Sequence, residues 1–188
     1  MNWLGKLIKQ HVDKNDTVLD LGCGIMQATT NILEPRSLRK PKGLLKSLAN
    51  REEKNLECKT ILGVELVDKY LDRIKTKYPT IKTDVRNTEL FVDNSFDVVI
   101  CTDVLEHLVI DDAIKLLKEM KRITRKKVVI YTPLKWNSNG DNIENAWDMG
   151  ENKLQGHKSV IPIEVLHNLS YTTTLTEIDG NIFGVYTK

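Results

Sequence analysis

The chain has 188 residues, 40% of them hydrophobic, enough for one single-core domain and too few for two comfortable ones. A formal net charge of +2 excludes a global attraction to nucleic acid or acidic membrane, so any electrostatic preference must come from local clusters. Cys23, Cys58 and Cys101 are widely spaced and form no C-x-x-C pair, which predicts reduced thiols in a cytoplasmic protein.

No apolar run approaches the roughly 18 residues of a membrane span. The opening MNWLGKLIKQHV interleaves Lys with apolar residues and carries no cleavage-site pattern, so no signal peptide is expected. Trp3, Leu4, Leu7, Ile8 and Val12 recur at helical spacing and predict an amphipathic helix packed on its own sheet. Val18, Leu19 and Leu21 then make a short apolar strand with Asp20 near its end. Gly22-Cys23-Gly24 turn sharply, and a helix is expected from about Met26 to Leu33, before Pro35.

Strand, glycine turn and helix in that order make a ligand cradle, because glycine admits a ligand where a Cβ would clash. A dinucleotide fingerprint would want a further glycine at Gln27. It is missing, and the Asp20 carboxylate would repel a pyrophosphate. A cationic ligand without phosphate suits the turn, and S-adenosylmethionine, with an ammonium and a sulfonium, has that chemistry. A mere strand-to-helix turn is the bland alternative.

The next acidic strand end is expected about 20 residues past the glycines, but Glu65 lies roughly twice as far along. The excess, Pro35 to Lys59, carries seven basic residues from Arg36 to Lys54. It reads as an insertion beside the ligand site: either a solvated loop and helix, or a clamp for an anionic acceptor. TILGVEL is the second strand, followed by a helix with Val67, Leu71 and Ile74 on one face, and TIKTD is the third, ending at Asp84. Asn87 to Phe91 is a turn or short helix. Phe96 to Cys101 is an apolar strand with an abruptly polar end, and Asp111-Asp112 cap the helix that follows.

KKVVIYT makes the fifth strand, stopped by Pro133. Lys135 to Lys158 is a long Asn- and Gly-rich loop whose Trp136 and Trp147 argue for packing and function. Pro162 marks a helix start, and two β-rich runs across Asp179-Gly180 make a terminal hairpin. Strands alternating with helices, closed by a hairpin, predict an α/β fold with a mostly parallel sheet. Asp20, Glu65, Asp84 and Asp103 sit at or just past four strand ends, where such sheets bind ligands.

These residues resemble the class I (Rossmann-like) S-adenosylmethionine-dependent methyltransferases. VLDLGCG, GVEL, TDV and FDVVICTDVLEHL match their first four motifs in order, and VVIYTP is similar to their fifth strand. One departure is Met26, where the family usually has a third glycine. The resemblance implies a doubly wound, seven-stranded, mostly parallel sheet with an antiparallel C-terminal hairpin and helices on both faces. It implies a single domain over residues 1–188 with insertions at about 35–59 and 135–160. It further implies that Asp20 and the backbone of Gly22, Cys23 and Gly24 hold the methionine part of the cofactor. Glu65, with Leu66 beside it, would accept the ribose hydroxyls. Asp84 would bond the adenine amino group with Val85 against the ring, and Thr102 would lie near the sulfonium.

A sulfonium is already an excellent leaving group, so the enzyme mainly aligns the acceptor, and only a hydroxyl needs help losing its proton. His107 and His157 are the histidines expected near the open strand ends, with Glu106 to orient an imidazole. Asp103, Glu106, His107 and His157 are also a plausible divalent-cation set, as in similar RNA enzymes. The metal-free arrangement is the expectation here. The expected activity is O-methylation of a small molecule, glycan or lipid precursor, resembling the ubiquinone-biosynthesis-type enzymes. Methylation of an RNA ribose 2′-hydroxyl is the first alternative, and a non-catalytic cofactor-binding subunit the second. The expected partner is a small-molecule or glycan acceptor; low net charge and the lack of any recognisable RNA-binding module weigh against nucleic acid.

Overall fold

A computed structural model describes residues 3–26, 28–29, 60–75, 78–140 and 146–188. The helix expected from Met26 to Leu33 lies largely outside them, and the insertion Pro35–Lys59 lies wholly outside. The strands are β1 (Thr17–Leu21), β2 (Thr60–Glu65), β3 (Thr80–Lys82), β4 (Phe96–Thr102), β5 (Thr124–Thr132), β6 (Thr172–Leu175) and β7 (Ile182–Thr187). They form one sheet in the order β3-β2-β1-β4-β5-β7-β6. Pairing is parallel from β3 to β5, and β7 runs antiparallel to both β5 and β6.

The central strands are apolar runs because both their faces are covered. Leu19, Leu21, Val99, Cys101, Val128 and Ile130 face one core. Val18, Val98, Ile100, Val129 and Tyr131, one residue out of step, face the other. Helices α3 (Ile110–Ile123) and α4 (Ile163–Asn168) cover the first face. Helices α1 (Trp3–Lys9) and α2 (Asp68–Ile74) contribute Leu4, Ile8 and Ile74 to the second. Among the described residues no helix is long and apolar enough to cross a membrane.

Several boundaries differ from those expected from the sequence. Val109 holds the N-cap of α3, so Asp111 and Asp112 fall inside its first turn, where they still complement the helix dipole. β3 stops at Lys82. β5 starts at Thr124 with no loop after α3, because the Thr124 hydroxyl donates to the Asp97 carbonyl at 2.9 Å and fixes the strand entry.

Asp97 ties the strand beginnings together. Its carboxylate accepts from the Thr17 amide at 2.9 Å and hydroxyl at 3.0 Å, and from Arg125 Nε at 3.0 Å. The Arg125 guanidinium holds the Asp97 carboxyl well below the usual carboxylate range. Asp97→Ala is expected to cost roughly 2–3 kcal/mol at pH 7, a charged hydrogen-bond loss discounted for the half-exposed arginine. A depressed folded pKa means that this contribution is complete above about pH 4 and lost as pH falls further. Urea titrations of both chains at pH 7 and at low pH check this: the gap should shrink in acid.

Candidate active site

The carboxyl ends of β1, β2 and β4 open into a cavity of about 320 Å³. All nine residues expected to hold the cofactor, from Asp20 to Thr102, line it, and so does His107. Gly22 and Gly24 have φ of 71° and 51°, a region that glycine enters without strain. A Cβ on Gly22 would lie 2.3 Å from a Val104 methyl, so this turn tolerates no side chain. Met26 takes φ 55° and buries its side chain in the second core. The backbone here keeps the glycine-like conformation although the residue is methionine, and Met26 does not begin a helix.

Glu65 is 8% exposed and fully engaged by backbone. Gly24 N donates to its Oε2 at 2.9 Å, while Leu66 N and Val67 N donate to Oε1 at 2.8 and 2.9 Å. The carboxylate is thereby locked in one orientation, with Oε1 taken up by two amides and acceptor capacity left on Oε2. Asp20 accepts from the Thr29 hydroxyl at 2.7 Å, and burial pushes its carboxyl up to about 7. A cation arriving in the cavity would relieve that penalty. Asp84 is gripped by Arg86, whose Nε and Nη2 donate to its two oxygens at 2.9 and 2.7 Å. Arg86 also reaches Asp112 at 2.9 Å and holds the Asp84 carboxyl low. Sequence reasoning missed Arg86; its only signal was a guanidinium two residues past a strand-end acid.

After β4 the chain turns through Asp103, at φ 53°, into a 3-10 turn at Leu105–His107. Lys158 N and Ser159 N both donate to the Glu106 carbonyl, at 2.7 and 3.2 Å, and this clasp brings the long loop onto the turn. His107 and His157 then meet edge to face, ring centroids 5.1 Å apart. Donor atoms of Glu106, His107 and His157 all lie within 4.8 Å of one another. Glu106 is 2% exposed and accepts from the Thr132 hydroxyl at 3.2 Å. Burial, with Asp103 nearby, pushes its carboxyl up.

Burial lowers His107 to about 4 and lowers His157 as well, so both imidazoles are neutral at pH 7. His107 Nδ1 stands 3.4 Å from the Gly156 carbonyl, whereas His157 Nδ1 is buried with no hydrogen-bond partner among the described residues. Glu106 and His157 are not among the cavity-lining residues; they pack against His107. Asp103 lines the cavity beside His107 but is not one of these three clustered residues. Its left-handed backbone sets it before the helical turn, and burial with Asp179 of the terminal hairpin pushes its carboxyl up.

The two loop tryptophans part company. Trp136 is 61% exposed, while Trp147 lines the cavity beside the glycine turn.

Residues 44–132 match the family model of a methyltransferase domain. No curated protein matches the chain in sequence. Among solved structures, it is similar to an S-adenosylmethionine-dependent methyltransferase from Archaeoglobus fulgidus, at 15% identity and TM-score 0.60 over 98% of this chain and 94% of that one. It is also similar to the methyltransferase domain of bacterial CtHen1-CN, at 18% identity and TM-score 0.57 over 98% and 97% of the two chains. A third is the magnesium protoporphyrin IX methyltransferase of Synechocystis PCC 6803, solved with bound S-adenosylmethionine. There identity is 11% and TM-score 0.57, over 98% of this chain and 76% of that one. At such identities the likeness is one of fold. Residues 44–132 carry the match to a methyltransferase domain, and these solved structures share the Rossmann-like fold of this chain.

Proposed function

We propose that the chain transfers the cofactor methyl group to an oxygen of a small molecule, glycan or lipid precursor. The observation that carries this is one cavity in which strand-end acids and the glycine turn meet His107. Bound there, the cofactor supplies an electrophilic methyl group on a sulfonium. Glu65, fixed by three amides, keeps Oε2 for a ribose hydroxyl, and Asp20 suits an ammonium. Asp84, steadied by Arg86, keeps acceptor capacity for an adenine amino group, with Val85 beside it. Thr102 and Leu66 complete the wall.

His107 is the imidazole on the cavity wall among the described residues, placed to take an acceptor proton, and Glu106 and His157 hold it from behind. A second reading is favoured by the convergence of two neutral imidazoles and one carboxyl: these three residues would hold a divalent cation that lowers the acceptor's pKa. RNA ribose methylation is the alternative acceptor class, and the basic insertion at about 35–59 supports it.

The test incubates the chain with radiolabelled cofactor and separate acceptor pools of small molecules, glycans, lipids and RNA. Label in the first three supports the proposal. Transfer confined to RNA, with affinity falling steeply in salt, replaces it with the RNA reading. S-adenosylhomocysteine binding without transfer to any pool supports the non-catalytic subunit instead.

A further inference from the structure

Trp147 belongs to none of the motifs that define the cofactor site, yet it is held against that site more firmly than an exposed loop residue requires. Its indole closes on Gly24 so tightly that a Cβ there would lie 2.6 Å from the ring. Gly24 is the residue whose amide donates to Glu65, so the ring covers the corner where turn and carboxylate meet. Trp147 and Asp148 adopt φ of 53° and 56° in succession, a conformation that side chains other than glycine resist. Such strain persists only where surrounding contacts over-determine it.

Those contacts come from α2, which starts three residues after Glu65. Lys69 Nζ donates to three successive carbonyls of the loop, Met149 at 3.0 Å, Gly150 at 2.7 Å and Glu151 at 2.7 Å. All three ammonium hydrogens are thereby used. Tyr70, 1% exposed, meets the Trp147 ring edge to face at 4.9 Å. Its hydroxyl accepts from Asn152 Nδ2 at 3.0 Å. A segment that leaves the sheet after β5 is thus fastened beyond β2, and in the sheet order β4 and β1 lie between. Trp147, Asn152 and Leu154 of this segment line the cavity. Neither hydrophobic core includes Trp147, so packing of the fold does not account for its position.

We propose that Trp147 is a cofactor-contact residue, the roof over the ribose side of the nucleoside, and that Lys69 is the positioning residue that latches the roof in place. This rests on the reading of Glu65 as the ribose acceptor. The long loop is thereby divided in two, with residues 147–152 serving the cofactor and His157 serving the acceptor end.

The test measures S-adenosylhomocysteine and 5′-methylthioadenosine binding by calorimetry for the unaltered chain, Trp147→Ala, Trp147→Phe, Lys69→Met and Lys69→Arg. Trp147→Ala should weaken both ligands by about tenfold, since both carry the nucleoside, and Trp147→Phe should recover most of the loss. Lys69→Met should weaken both, with partial rescue by Lys69→Arg. A Trp3→Phe, Trp136→Phe chain leaves Trp147 as its only tryptophan, and saturating S-adenosylhomocysteine should at least halve its quenching by acrylamide. That readout does not depend on the fold of any Trp147 variant.

No binding by the unaltered chain overturns the cofactor reading and this inference with it. Binding that Trp147→Ala leaves unchanged, or quenching that the ligand does not alter, overturns this inference alone. A loss confined to S-adenosylhomocysteine and absent for methylthioadenosine overturns the ribose-side position.

Discussion

Glu65→Ala is expected to weaken S-adenosylhomocysteine binding by about 1.5–3 kcal/mol, a factor of roughly 10 to 10² in Kd. A ribose hydroxyl donating to the position left on Oε2 makes one charge-assisted bond, worth about 1.5–3 kcal/mol. The carboxylate is already oriented by Gly24, Leu66 and Val67 amides, so little ordering cost opposes that bond. Alanine also strands three amides beside a cavity and lets the glycine turn relax. Glu65→Gln should not rescue binding well. Amide donors approach both Glu65 oxygens, so either orientation of a glutamine side chain points its NH₂ at another donor. Calorimetry on both variants, with melting temperatures as a control for folding, checks the prediction. Binding by Glu65→Ala within threefold of the unaltered chain would refute it.

Much of the fold was legible because two-sided burial writes itself into sequence. A parallel strand covered on both faces has no polar alternation to interrupt it, so VVIC and VVIY stand out. The strand-end acids were legible for the same reason: Asp20 and Glu65 break apolar runs at the point where the sheet opens. Pairings across long separations were not. Lys69 meets carbonyls about 80 residues away, and nothing in its neighbourhood distinguishes it from a solvated lysine. Trp147 was readable as a functional loop residue, but its side of the cavity follows from that latch. Spacing alone puts Asp103 one helical turn from Glu106 and His107. The spacing rule assumes helical φ and ψ, and Asp103 is left-handed. Met26 is the converse case: burial in the second core offsets a backbone conformation that costs about 1–2 kcal/mol without glycine.

His157→Ala is expected to lower kcat by about 10²-fold, through misplacement of His107, while leaving S-adenosylhomocysteine affinity unchanged, once an acceptor is known. The split follows from position: His157 packs on His107 but is not part of the cavity lining. In the metal-free mechanism His107 takes the proton. Its pKa is lowered to about 4, so the basic form dominates above about pH 5 and the rate should be flat through neutrality. A cation would instead have to displace the Glu106 proton, whose pKa burial raises, and activity would climb with pH beyond neutral. Glu106→Gln sharpens the contrast. It keeps an acceptor for Thr132 and the volume of the side chain, so a positioning role survives it, whereas a carboxylate ligand is lost. Activity in excess chelator decides between the two. Loss that Mg²⁺ or Mn²⁺ restores overturns the metal-free mechanism, and full activity of both His157→Ala and Glu106→Gln overturns each of them. The Glu106 carbonyl, clasped by the Lys158 and Ser159 amides, keeps the loop on the turn in either variant. A fall in kcat therefore reports the removed side chain, not a displaced loop.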